Sequence, residues 1–314
     1  LDSLEIRDIR VWWSAQLGRK FSSYLRLKAQ DFNFRTNQGV AKPDFNILEK
    51  ADLDMGYVEF RPDLKQKIRA GRQFQQVGRG FVLADILDGL LYQRAQDGWQ
   101  VDAFWGTTPN RILNIDSSIV GFNQGLTHRD FGFIEAQYTH RAGNRYYMYH
   151  VSEVDRSQTL SAAQSAVDFG YNANFTGVGG NVRVTPRVLL LTEMGLQGGS
   201  TLSAAGRRVD VEASFFEALG LWSLRGLNDG LIQAEYMYGS GDPDRRNVTD
   251  TFGGKQDLTD DNNFLYFGRI ETGLALSPRL SNLHLVRVGY QQRIRRSGRR
   301  VHATDPLVGV KFTE

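Results

Sequence analysis

Apolar and polar residues alternate along this chain with a period of two rather than 3.6, the spacing of strands that show a different face to each side. In the first stretch Ile9, Val11, Trp13 and Ala15 alternate with Asp8, Arg10, Trp12 and Ser14. After a short turn at Gly18-Arg19-Lys20, Leu25, Leu27 and Ala29 alternate with Tyr24, Arg26, Lys28 and Gln30. A polar connection from Asn33 to Leu48 precedes Ala51, Leu53, Met55 and Tyr57, which alternate with Asp52, Asp54 and Gly56. The stretch Lys65 to Tyr92 is the one around which the rest is organised. It begins as a strand with Lys65, Lys67 and Arg69 on one face and Ile68 and Ala70 on the other. It is expected to break at Gly71-Arg72-Gln73, cross a loop bearing Gly and Arg, and return as a second apolar strand after Asp88-Gly89.

The rhythm continues in Trp99, Val101, Ala103 and Trp105 against Gln100, Asp102 and Phe104, and in Ile134, Ala136 and Tyr138 against Glu135, Gln137 and Thr139. Further strands are expected near 145–149, 166–184, 188–197, 207–223, 230–239, 263–276, 283–295 and 307–313. Short and long linkers alternate along this series. An outer-membrane barrel sorts its connections in this way, with short periplasmic turns and long extracellular loops. The segments are also long enough to cross a hydrocarbon layer at a tilt. The fold expected is therefore all-β: one transmembrane antiparallel up-and-down β-barrel over residues 1–314. About 15 strands are visible, and a barrel with both ends periplasmic needs one more upstream of residue 1. That makes about 16 strands (roughly 14–18), an even number. The other account of the odd count is a misread strand in the Gly-rich 170–184 region. Trp13, Tyr57, Trp99, Trp105, Tyr138, Tyr147, Tyr149, Tyr236 and Tyr238 are the candidate outward rings, at the depth where an aromatic side chain meets both lipid and water.

Composition sharpens this in three places. Mean hydropathy is −0.39, which alternating strands tolerate because only one face meets lipid; no run of 18 apolar residues offers a membrane helix. The 38 basic and 35 acidic residues nearly cancel, so bulk charge implies no nucleic-acid partner. With no cysteine, disulfides, thiolate catalysis and Cys-based metal sites are excluded. The first residues lack a basic stretch followed by an apolar one, so any secretion signal is expected outside this sequence. The expected location is the outer membrane of a Gram-negative bacterium.

The organising stretch resembles the alginate-export family of outer-membrane barrels. The residues that carry the resemblance are Gly71-Arg72-Gln73, Gly78-Arg79-Gly80 and Leu87-Asp88-Gly89-Leu90-Leu91-Tyr92, with Gly56-Tyr57-Val58-Glu59-Phe60 as the strand just before. Membership would imply a passive, electropositive pore through which an anionic polyuronate leaves the periplasm.

The face opposite the lipid offers Arg10, Arg26, Lys28, Lys67, Arg69, Arg269, Arg287 and Arg293 as pore-lining cations, with Arg72 at an expected bulge. Strands near the two chain ends would be neighbours on closure, so these cations form one basic arc. Arginine suits carboxylate-bearing cargo through its planar fork. Against this, charged residues in a lumen commonly pair across strands, and Asp8, Asp52, Asp54, Asp102, Glu135, Glu193, Glu235 and Glu271 are available to do so. The five histidines lack metal-site spacing, His150-x-Ser152 has no GxSxG or partner carboxylate behind it, and no cofactor motif occurs, so a non-enzyme without cofactor or metal is expected. Asp242-Pro243-Asp244 and 257–263 are acidic enough to hold Ca²⁺, with solvated loops as the plainer account. Three functions stay open: export of an anionic polysaccharide or oligosaccharide, a general anion-preferring porin, and a sleeve or anchor for a partner protein of the envelope. Whether a loop or a second chain occupies the lumen would separate them.

Overall fold

The computed structural model describes residues 3–36, 39–41, 52–109, 128–140, 143–156, 170–203, 207–224, 230–245, 259–270, 272, 280–292, 295–296, 299–300 and 309–311. All regular structure among them is β. The strands are β1 (Ser3–Leu17), β2 (Phe21–Thr36), β3 (Gly39–Ala41), β4 (Asp52–Phe60), β5 (Gln66–Gln76), β6 (Ala84–Gln96), β7 (Trp99–Thr107), β8 (Arg129–Thr139), β9 (Arg145–Asp155), β10 (Asn172–Thr185), β11 (Val188–Leu202), β12 (Arg208–Leu224), β13 (Gly230–Gly239), β14 (Leu283–Gln291), β15 (Arg295–Arg296), β16 (Arg299–Arg300) and β17 (Gly309–Lys311). Thirteen of the 17 have nine residues or more. One antiparallel up-and-down sheet runs β1-β2-β4 and onward in sequence to β14, then β17, with β3 on β2 and β15-β16 as a separate pair.

Among the described residues the ladder runs from β1 to β17 without a pairing between those two ends. The expected closed barrel of about 16 strands is thus met by 13 long strands of a curled sheet. The curl is evident because the β5–β6 connection touches β11 and β12, over a hundred residues away.

Two strand assignments change. β5 does not break at Gly71-Arg72-Gln73 but pairs with β6 through Gln76, so the connection is only 77–83. Gly71 allows this with φ +123, where a Cβ would collide with the Gly56 carbonyl of β4. The expected strand 263–276 is absent from its described part, 263–270 and 272. Phe264-Leu265-Tyr266-Phe267 is apolar at four successive positions and buried at all four, which a two-faced strand cannot satisfy.

The two faces of the sheet separate cleanly. Outward, Ile9, Val11, Trp13, Leu90, Trp105 and Leu196 are exposed to more than a third of their surface. Trp99, Tyr138, Tyr236 and Tyr238 also lie on this face, Trp99 and Tyr138 with ring centroids 4.9 Å apart. Tyr57, Tyr147 and Tyr149, expected outward, face inward instead. Tyr147 and Tyr149 are buried and share a face with Val151 and Glu153. The concave side holds the core: Phe104, Phe131, Phe133, Val151, Phe175 and Phe215 from the wall, with Val77, Phe81, Val82 and Leu83 from the β5–β6 connection.

Candidate functional site

The space inside the curl is divided. Against β6–β13 it is filled by the chain itself, from two places. The β5–β6 connection, 77–83, enters as a strap; residues 261–270 and 280–282, between β13 and β14, enter beside it. The two are tied together by main-chain bonds: the Phe267 N–H donates to Val82 O at 2.9 Å and the Arg269 N–H to Gly80 O at 3.0 Å. Leu83 and Phe267 form a parallel bridge. The inserted body is held to the wall by polar side chains acting as main-chain surrogates. Gln197 donates from Nε2 to Leu265 O (3.0 Å) and accepts from the Leu265 N–H at Oε1 (3.1 Å).

Phe267 is the centre of this filling. Its ring meets Phe131, Tyr171 and Phe175 edge-on at 5.4, 6.5 and 6.2 Å, and the Arg129 guanidinium lies 5.2 Å from its centroid. Arg129 is fully buried and donates to Glu153 at 2.8 Å, with Asp155 at 3.7 Å. A buried cation needs such partners, because taking it from water costs several kcal/mol. The acidic loops considered for Ca²⁺ are likewise engaged by the protein. Asp261 accepts from Arg245 Nε (2.9 Å) and from the Asn263 N–H, and Asp242 accepts from the Asn262 and Asp244 N–H groups.

At mid-depth the strap tip meets a group of carboxylates. The Arg79 N–H donates to Glu193 Oε2 at 2.6 Å, and its guanidinium donates from Nη2 to Glu217 Oε1 at 2.6 Å. The Gly78 N–H donates to Glu135 Oε2 at 3.3 Å. Glu193, 1% exposed, also accepts from the hydroxyls of Tyr147 and Tyr149, both at 2.7 Å. Those rings lie flat over Gly179 and Gly177 of β10, where any Cβ would collide with them.

Along β1, β2, β4 and β5 the inner face is different. Its inward residues include Arg10, Trp12, Arg26, Lys28, Lys67 and Arg69, placed there by register with the buried Glu59 and with one another; Arg287 of β14 faces inward opposite Glu235. Trp12 is 67% exposed although it faces inward. Tyr24 stacks on Tyr57 at 5.4 Å, and Arg69 lies 4.2 Å from the Tyr57 centroid. The cations are paired: Arg10 with Asp8 at 2.6 Å, Arg26 with Asp54 at 2.5 Å, Arg69 with Glu59 at 2.6 Å, and Arg287 with Glu235. These pairs are only partly buried on the arginine side, so the positive groups still border the open space.

Of the nine cations singled out from sequence, Arg10, Arg26, Lys28, Lys67, Arg69 and Arg287 lie on this inner face. Arg72 does not line the pore. It faces outward between Ala70 and Phe74, donating from Nε and Nη2 to Asp88 at 2.8 and 2.9 Å and from Nη1 to Leu53 O at 2.8 Å. The Arg of Gly71-Arg72-Gln73 thereby meets the Asp of Asp88-Gly89, and Gln73 donates to the Gly89 carbonyl at 3.1 Å. The two halves of the motif form a joint between β5 and β6. Arg269 is on the inserted segment, exposed, 3.5 Å from Asp85. Arg293 lies outside the described residues. Glu217, Glu153 and Arg129 were not singled out, and Arg79 only within Gly78-Arg79-Gly80. Of these, Arg79 carried a sequence signal, a lone cation between two glycines in a loop.

No protein-family model matches the sequence, and no curated protein matches it. Among solved structures, the chain is similar to OmpT, an outer membrane protein of Vibrio cholerae. Identity is 12% and the TM-score 0.39, over 76% of this chain and 86% of that one. A loop L8 deletion form of the same protein gives 9% and 0.35, over 76% and 94%. Likeness at this level says nothing about cargo or mechanism.

Proposed function

We propose that the protein is an outer-membrane channel of porin type, without catalytic activity. Its passage runs along the open side of the lumen, beside the inserted segments, and favours anionic solutes. The observation that carries this is the inner surface of β1, β2, β4 and β5, where cationic and aromatic side chains border space that no described residue fills. A membrane setting is supported by the outward face, since a water-facing sheet does not expose Ile9, Val11, Trp13, Leu90 and Trp105 together. In lipid, a sheet must also join its edges to satisfy its backbone.

The resemblance to alginate exporters extends this reading to acidic glycans, and Trp12, Tyr24 and Tyr57 favour that extension. Sugar rings stack on such side chains while arginine forks hold carboxylates. The sleeve reading has less support, because the protein's own segments 77–83 and 261–270 already pack against the inner wall where a partner would sit. In a planar bilayer under a salt gradient, the reversal potential is expected to report anion preference. Cation preference, unchanged by Arg10→Ala, Arg26→Ala, Arg69→Ala and Arg287→Ala, would overturn it. For cargo, acidic oligosaccharides should block the current at lower concentration than neutral ones of equal length; equal block refutes the glycan extension.

A further inference from the structure

Glu193 does more than fill the wall, and we propose that it is the positioning residue that holds the strap tip across the lumen and so sets the width of the passage. This rests on the channel reading above. The tip is built to turn: Gly78 has φ +57 and Gly80 φ +89, and the Gly80 N–H closes a tight turn on Val77 O at 2.8 Å. A Cβ at Gly78 would press on both Glu193 oxygens and the Tyr149 ring, at 2.7 to 2.9 Å. The tip therefore packs closely on Glu193 and Tyr149, with Glu135 and Glu217 bonded beside them.

The wall, in turn, is shaped around Glu193. Two tyrosines of β9 cross β10 and deliver their hydroxyls to a carboxylate on β11. They can do so only because β10 places Gly177 and Gly179 beneath the rings. Three neutral donors converge on Glu193: two phenols and the Arg79 main-chain N–H. That is a fixed acceptor aimed at the strap's backbone, and the wall's own stability does not require it. Two phenylalanines would pack the same rings with no buried charge to satisfy.

The root of the strap is held separately. Val77, Val82 and Leu83 are wholly buried, and the bridge to Phe267 fixes its far end. Gly78–Gly80 depends on the carboxylates and on the Arg269 N–H bond to Gly80 O. Releasing Glu193 removes the hold on the Arg79 main chain and so loosens the tip, with the root left in place. The Arg79 side chain stands at the edge of the filled side, paired with Glu217, which is the neighbour in the wall of Glu235 and its partner Arg287. A freed tip moves toward or away from the open side, and the passage changes with it.

The test is single-channel recording of the full chain in planar bilayers, with heat-shifted gel migration as the check on folding. The variants are Glu193→Ala and the double Tyr147→Phe/Tyr149→Phe. The double variant keeps the rings and removes only the hydroxyls, so it serves if Glu193→Ala does not fold. Expected is a changed unitary conductance with more frequent switching between levels in both variants, larger for Glu193→Ala, with the sign of ion selectivity kept. Folded variants that record at the wild-type conductance and noise overturn the positioning role while leaving the channel reading intact. A wild-type protein that inserts and conducts nothing overturns both.

Discussion

The filled and open sides within the curl are built from antiparallel strands of the same alternation, yet charge has a different task in each. Around the Phe267 filling against β6–β13 the ionic groups are buried. Arg129 and Glu153 have no solvent exposure, and their pairing offsets desolvation. Along β1, β2, β4 and β5, arginines keep a wet edge even where the carboxylate is buried, as in Arg69–Glu59. Buried pairs of the first kind fix the fold. Pairs of the second kind keep their cations at the edge of the space inside the curl, where on the channel reading a solute would meet their field. Position in the sheet does not separate the two. Whether the chain folds back over the wall does.

That difference can be broken most forcefully at Arg129. Replacing it with Ala strands Glu153 and Asp155, and an orphaned buried charge costs about 3–5 kcal/mol. Urea unfolding from lipid vesicles should show the loss, and a variant as stable as wild type would mean the site is wetter than it looks. Phe267→Ala removes the ring around which the two inserted segments pack, for about 3–5 kcal/mol at most, less if its neighbours collapse inward. It should also increase protease access to the inserted segments in otherwise folded protein. Arg72→Ala tests the outward joint: losing charge-assisted bonds to Asp88 and Leu53 costs about 1–3 kcal/mol, with ion selectivity unmoved. Arg69→Gln, on the open side, should reverse that profile. Its stability loss should be smaller than at Arg129, because Glu59 keeps Arg61 as a partner at 2.7 Å, while the reversal potential moves toward cations. Equal stability losses at Arg69 and Arg129 would erase the distinction between the two sides.

Alternation made the strands legible, because a sheet with two unlike environments writes its faces into every second residue. Arg10, Arg26, Lys28, Lys67, Arg69 and Arg287 were all readable as inward on that basis. It misled where inside is apolar too. On β9, Tyr147 and Tyr149 have the look of interface aromatics, and only the filling opposite them makes the inner face hydrophobic. Phe264 to Phe267 reads as a strand because its residues favour strands; that it turns inward depends on partners some 180 residues earlier, which no local pattern encodes. Arg72 shows a third limit. Its charge suggested the lumen, but its register partners on the outer face, Gly56 and Asp88, place it there, where it reaches the Asp88 carboxylate and the Leu53 carbonyl. The latch at Glu193 was hidden differently, since the glycines beneath the tyrosines read only as places where a strand bends.

The bridge between Leu83 and Phe267 carries a consequence for how the chain is put together. The strap belongs to the β5–β6 hairpin and can enter with it, but its companion arrives only after β13 has been made. Contacts of such sequence separation form late and slowly. The walls from β6 to β12 must therefore wait, with an apolar inner face, for a late segment to cover them. A defect at Phe267 should therefore stall assembly with that inner face uncovered.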